Sequence, residues 1–268
     1  MELTVNGSKT FCYTGGKAFD AAKPTAIFVH GVLNDHSVWI LQTRYLAHHG
    51  WNVLAVDLPG HGQSGGDPPA SVEAASEFVL ALMDAAGLTK AALISHSFGS
   101  LIALETAARA PDRVSHLVLV GTAFPLKVAP ALMEASQNNP EKAIAMVNTF
   151  SHSTLAPPPS SLGPGTWVYG SNKALMRRML ARNPRVNIFH AGFKACDAYA
   201  GGDAAMAKVT APTLFVLGRG DQMAPVKAAQ SLVRAAAHGK VVVVPGGHNM
   251  MAESPDAVLK AMKDFLGA

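Results

Sequence analysis

Short, continuous apolar runs recur along this chain, each bounded by turn residues: Thr25 to His30, Asn52 to Asp57, Ala91 to Ser95, His116 to Val120, Thr213 to Leu217 and Lys240 to Val244. A strand without polar alternation is one buried on both faces, as happens when helices cover a parallel sheet. Most of these runs are separated by stretches of helical period: Val38 to His48, Val72 to Ala86, Phe98 to Ala110, Val226 to Ala236 and Pro255 to Leu266. That alternation predicts an α/β fold with a mainly parallel, doubly wound sheet and helices on both faces. Residues 2 to 20 alternate weakly around Asn6-Gly7. They predict an antiparallel hairpin at a sheet edge, bringing the sheet to about eight strands.

The helical stretches carry their own punctuation. Ser71 precedes Val72, with Glu73 in the first turn, and Pro111 closes the stretch that begins at Phe98. At 268 residues the chain suits one large domain with an insertion better than two small ones. From 122 to 208 the strand-like runs stop, and Pro157-Pro158-Pro159, Gly163-Pro164-Gly165 and short helical pieces take over.

Composition excludes some partners. The net charge is +4, but the basic residues are dispersed, with no run of the kind that binds nucleic acid. Arg177, Arg178, Arg182 and Arg185 read as a solvated helix flank. Cys12 and Cys196 match no metal or redox spacing, so they read as reduced thiols of a cytoplasmic protein. The stretch Met1 to Asn6 lacks a basic lead and an apolar core, and no apolar run approaches the ~18 residues of a membrane span. The expectation is a soluble protein without membrane or nucleic-acid partners; its oligomeric state is not legible.

Chemistry concentrates between Ala91 and Ala103, where strand-like sequence passes through His96-Ser97-Phe98-Gly99 into a helix. Such a turn lifts the apex hydroxyl, Ser97, clear of the backbone, with small flanking residues letting strand and helix come together. A serine hydroxyl needs a base, and the base needs an acid to hold its tautomer. After the Lys240 to Val244 run comes Pro245-Gly246-Gly247-His248, and after the Thr213 to Leu217 run comes Gly218-Arg219-Gly220-Asp221. Both lie at the C-terminal ends of strands, where α/β sheets build their sites. His248 is the candidate base and Asp221 the candidate acid.

Ser95-His96-Ser97-Phe98-Gly99 resembles the G-x-S-x-G nucleophile elbow of the α/β-hydrolases, with Ser95 in place of the first glycine. Gly218-x-x-Asp221-x-x-x-Pro225, Gly247-His248-x-x-x-x-Glu253-x-Pro255 and the order Ser97, Asp221, His248 are similar to that family's acid and histidine loops. The resemblance runs from Ala26 to Leu266. It implies a core of residues 1–121 and 209–268, with 122–208 as a helical cap inserted after strand six. It implies oxyanion donors at the amides of Val32, in the loop beginning His30-Gly31, and Phe98. Leu33, Met223 and Asn249 would face the substrate, joined from the cap by Phe124, Phe150 and Trp167. His30, His61 and Asp57 fall at positions that read as supporting, and His96 would point away from the nucleophile.

The activity so implied is carboxylesterase-like: hydrolysis of an ester or related acyl bond of a small, largely apolar molecule through an acyl-enzyme. No metal or organic cofactor is called for. A serine at the elbow argues against the dehalogenase and epoxide-hydrolase branches, which use aspartate. Two other readings stay open on the same residues: C–C hydrolysis, perhydrolysis or a lyase reaction, and a ligand-binding, receptor-like role with a slow or vestigial triad.

Overall fold

The computed structural model describes residues 1–153 and 167–268. The Pro157-Pro158-Pro159 and Gly163-Pro164-Gly165 stretches lie outside the described residues. A hairpin, β1 (Glu2–Val5) and β2 (Ser8–Tyr13), opens the chain. Its turn residues Asn6 and Gly7 both have positive φ, 50° and 77°, the backbone that an Asn-Gly hairpin turn requires. There follow β3 (Thr25–Val29), α1 (Ile40–His48), β4 (Asn52–Val56), α2 (Val72–Ala85), β5 (Ala91–His96), α3 (Phe98–Arg109) and β6 (Val114–Val120). Helices α4 (Pro130–Asn138), α5 (Pro140–Ser151), α6 (Val168–Arg182), α7 (Ile188–Ala198) and α8 (Gly202–Met206) intervene before β7 (Thr213–Gly218). The chain closes with α9 (Gln230–Ala235), β8 (Gly239–Val244), α10 (Met250–Glu253) and α11 (Pro255–Leu266).

Among the described residues eight strands form one sheet in the order β1-β2-β4-β3-β5-β6-β7-β8. The hairpin is antiparallel and every pairing from β4 to β8 is parallel. Each central strand serves two cores because its side chains alternate. Ile27, Val29 and Leu93 join α2, α3 and α9 on one face; Ala26, Phe28, Ala92 and Ile94 join α1 and α11 on the other. β8 is the edge, where Val241 and Val243 stay exposed. At the far end, α11 starts on Pro255 and stops at Gly267, whose φ of 70° ends the helix in the left-handed region.

Helices α4 to α7 gather a third core of Leu132, Ile144, Met176, Met179, Ile188 and Phe189. The insertion is not uniform. From Ala195 onward its apolar residues, including Cys196, Tyr199 and Met206, join the core beneath α3. Arg178 on α6 reaches back to the buried carboxylate of Asp35 at 3.2 Å, fastening the helices to the loop after β3.

Candidate active site

Parallel strands deliver their C-terminal ends to one edge of the sheet. Between β3 and β5 the winding reverses, since β3 leads outward to β4 and β5 leads the other way to β6. Such a reversal leaves a crevice at the strand ends. Ser97 stands there, between β5 and α3, with φ 54° and ψ −119°. A non-glycine residue in that region is strained and persists only where its surroundings fix it. Its N–H donates to the Val120 carbonyl at 3.0 Å, and its carbonyl accepts from Ser100 N–H at 2.8 Å. Gly99 is required by close approach: a Cβ there would lie 2.6 Å from the carbonyl oxygens of both Val29 and His30. Ser95 is accommodated because its Oγ donates to the Val118 carbonyl at 2.9 Å.

The loops after β7 and β8 converge on this serine. Ser97 Oγ and His248 Nε2 are 2.9 Å apart, and His248 Nδ1 lies 2.8 Å from Asp221 Oδ2. The other carboxylate oxygen of Asp221 accepts the N–H groups of Met223 and Ala224 at 2.9 and 2.7 Å. An ionised carboxylate only accepts, so Nδ1 carries the imidazole proton and Nε2 is left to accept from the serine hydroxyl. Gly121, with φ 56°, keeps the floor open: a Cβ there would lie 3.2 Å from the His248 ring.

His30, His61 and His96 are buried and each bonds the backbone, His61 through Nδ1 to the Pro59 carbonyl at 3.0 Å. His30 Nε2 accepts the N–H of Leu58 at 3.1 Å, while its Nδ1–H donates to the Gly31 carbonyl. His96 packs against His248, ring centres 4.7 Å apart, and its Nε2–H donates to the His248 carbonyl at 2.9 Å. Burial lowers the pKa of His30, lowers that of His96 well below the ordinary value with help from neighbouring His248, and draws His61 down to about 3. Asp57 is buried, which alone would raise its pKa, but bonds from the His36 ring and the amides of His36 and Gln63 hold it below the ordinary carboxylate value.

Two cavities meet at Ser97, sharing Val32, Phe193, Met223 and His248 in their walls. The larger, about 290 Å³, is walled by Leu126, Val128, Leu132, Met146 and Phe150. The smaller is edged by Asn172 and Asn249. Of the pocket residues expected from sequence, Met223, Asn249 and Phe150 therefore line these spaces. Leu33 does not; it is fully buried in the core of the inserted helices. Phe124 packs edge-on against Tyr199, 5.9 Å between ring centres, and Trp167 stacks on Tyr169 with 60% of its surface exposed. Leu126, Val128 and Asn172 also line these spaces; they sit in irregular sequence or on a polar helix, where no periodic signal marks them. The amides of Val32 and Phe98 have no acceptor among the described residues, as expected of Phe98 at the first position of α3.

Among the described residues no group of three or more His, Cys, Asp or Glu side chains is arranged to hold a metal ion, and no helix is long and apolar enough to cross a membrane.

Comparison with known proteins places this architecture. Over 102 residues the chain is 39% identical to the dihydrolipoyllysine-residue acetyltransferase component of the acetoin cleaving system of Pseudomonas putida, a match covering 36% of this chain and 26% of that protein. This chain thus spans about a quarter of that relative's length. Over 224 residues it is 29% identical to the pimeloyl-[acyl-carrier protein] methyl ester esterase of Neisseria meningitidis, covering 81% of this chain and 83% of the relative. The crystal structure of the enol-lactonase from Burkholderia xenovorans superposes with a TM-score of 0.82 at 22% identity, covering 100% of both chains. The family model described as alpha/beta hydrolase fold matches residues 24–255, and the chain belongs to that family.

Proposed function

We propose that this protein is a serine esterase that cleaves the ester or a related acyl bond of a small, largely apolar molecule. The observation that carries this reading is the unbroken chain Ser97 Oγ, His248 Nε2, His248 Nδ1, Asp221 Oδ2, with separations of 2.9 and 2.8 Å. His248 takes the Ser97 proton as Oγ attacks the carbonyl carbon, and Asp221 steadies the imidazolium that forms. The amides of Val32 and Phe98 receive the developing oxyanion. His248 then passes its proton to the leaving alcohol. Water, activated by the same imidazole, hydrolyses the acyl-enzyme and returns Ser97 to its hydroxyl form. The apolar walls of the larger cavity favour a hydrocarbon portion of the substrate over a charged one. The esterase named among the relatives is consistent with this chemistry. Helices α4 to α7 act as the cap that shields it from water.

The test is turnover of short and medium p-nitrophenyl esters by the purified protein and by Ser97→Ala. Hydrolysis that disappears in the variant supports the reading; full activity in Ser97→Ala would end it.

A further inference from the structure

The segment that ends α5 presses on both loops that carry the triad's base and acid. A Cβ on Gly247 would lie 2.7 Å from the carbonyl oxygen of Ser151 and 2.7 Å from the amide nitrogen of Ser153; one on Gly220 would lie 2.9 Å from the Ser153 Cβ. Gly247 immediately precedes His248, and Gly220 immediately precedes Asp221. Ser151 at the end of α5 and the two residues after it therefore lean on both candidate catalytic loops at once.

Hydrogen bonds fasten this contact. The Asn249 N–H donates to the Ser151 carbonyl at 2.9 Å, and the Asn249 side-chain amide donates to His152 Nε2 at 3.2 Å. His152 Nδ1–H donates to the Asn148 carbonyl at 2.8 Å, which leaves Nε2 as an acceptor. Asn148 carries the connection to α6: it donates to the Tyr169 carbonyl and accepts from the Asn172 amide. On the more open side Glu253 spans the two segments. Its Oε2 accepts the Gly247 N–H at 2.6 Å, and its Oε1 accepts the N–H and hydroxyl of Ser153 at 2.9 and 2.8 Å. The inner side of the His248 loop is held by His96; its outer side is held by this two-point latch.

We propose that His152 and Glu253 are positioning residues that latch α5 to the histidine loop, so that His248 Nε2 stands at Ser97 only while α5 is docked. The proposal rests on the triad reading above. Neither residue touches the reacting atoms; each acts through the peptide that carries His248. A displacement of about 1 Å in a catalytic group can cost on the order of 10²-fold in rate.

His152→Phe keeps ring bulk and removes both hydrogen bonds, while His152→Gln returns an acceptor. The readouts are kcat and KM on a p-nitrophenyl ester, the rate at which a fluorophosphonate labels Ser97, and the melting temperature. The expected result is a loss of about tenfold or more in kcat and in labelling rate at unchanged KM, with most of the loss recovered in His152→Gln. Glu253→Ala, on the solvated side, gives the same kinetic loss and serves if His152→Phe does not fold. Wild-type kcat and labelling in these variants, or a raised KM at unchanged kcat, overturns the latch and leaves the triad standing. An unsubstituted protein whose Ser97 is never labelled overturns the triad reading and the latch together.

Discussion

Ser95 Oγ donates to the carbonyl of Val118 at 2.9 Å in the fully buried centre of the sheet, two residues before the candidate nucleophile. The hydroxyl thus ties β5 to β6 beside the elbow, where Ser95 stands in place of a glycine. Ser95→Gly removes that bond and loosens the strand backbone. We expect a loss of about 1–2 kcal/mol in folding stability, read from urea denaturation, with ester turnover close to that of the unsubstituted protein. A large fall in kcat without loss of stability would contradict this account of the position.

Asp221 sets which nitrogen of His248 carries the proton. In Asp221→Asn the amide can donate to Nδ1, which moves the proton to Nε2 and leaves Ser97 without an acceptor. The expected loss in kcat is on the order of 10³- to 10⁴-fold, with the melting temperature little changed. Retention of more than a tenth of the activity would mean that another group orients the imidazole.

Phe193 stands in the walls of both cavities at Ser97, and Leu132 stands in the wall of the larger. Removing the Phe193 ring lengthens the apolar space that Leu126, Val128 and Leu132 enclose. In a p-nitrophenyl series Phe193→Ala should shift the preferred acyl chain to greater length, and Leu132→Trp should shift it shorter. Each methylene gained or lost is worth roughly tenfold or more in kcat/KM. An unchanged chain-length profile in both variants would place the hydrocarbon elsewhere.

Three buried histidines should make folding stability fall in acid. His30, His61 and His96 have folded pKa values lowered chiefly by burial, that of His61 to about 3. A histidine held neutral in the folded state but free to take up a proton in the unfolded chain stabilises fully above its unfolded pKa. That stabilisation is lost as pH falls below about 6.5, and the loss continues down to the folded pKa. At pH 5 His61 alone should cost about 2 kcal/mol relative to pH 7. Asp57, whose folded pKa is lowered, adds its own loss only below its ordinary value of 3.8. Denaturant titrations at pH 7 and pH 5 check this. Equal stabilities at the two values would contradict it, and His61→Phe should flatten part of the slope.

Much of this architecture was legible because the sequence states burial directly. The runs at Thr25, Asn52 and Ala91 lack polar alternation and form central strands; the helical stretch Pro255 to Leu266 is α11; Asn6-Gly7 names its turn. The convergence of Ser97, Asp221 and His248 was legible because each follows an apolar run in a parallel sheet, whose C-terminal ends meet by topology. The pocket was less so. Residue type says that Leu33, Phe124 and Trp167 carry large apolar groups, not what those groups pack against: the inserted helices' own core, Tyr199 and Tyr169 respectively. The helices α8 and α10, of 5 and 4 residues, are too short to show a period. His96 packs beside His248 and bonds its carbonyl, a contact between residues 152 positions apart that no local pattern announces.

The proposed activity requires Ser97 to be a nucleophile that His248 activates. The measurement that bears on it most directly is fluorophosphonate labelling of the purified protein, with the modified residue located by peptide mass spectrometry and repeated on His248→Ala. The expected result is a single adduct on Ser97, formed at least a hundredfold more slowly in the variant, on the order expected when a triad base is removed. An adduct on Ser95 or on no serine, or one on Ser97 formed as fast without His248, would contradict it.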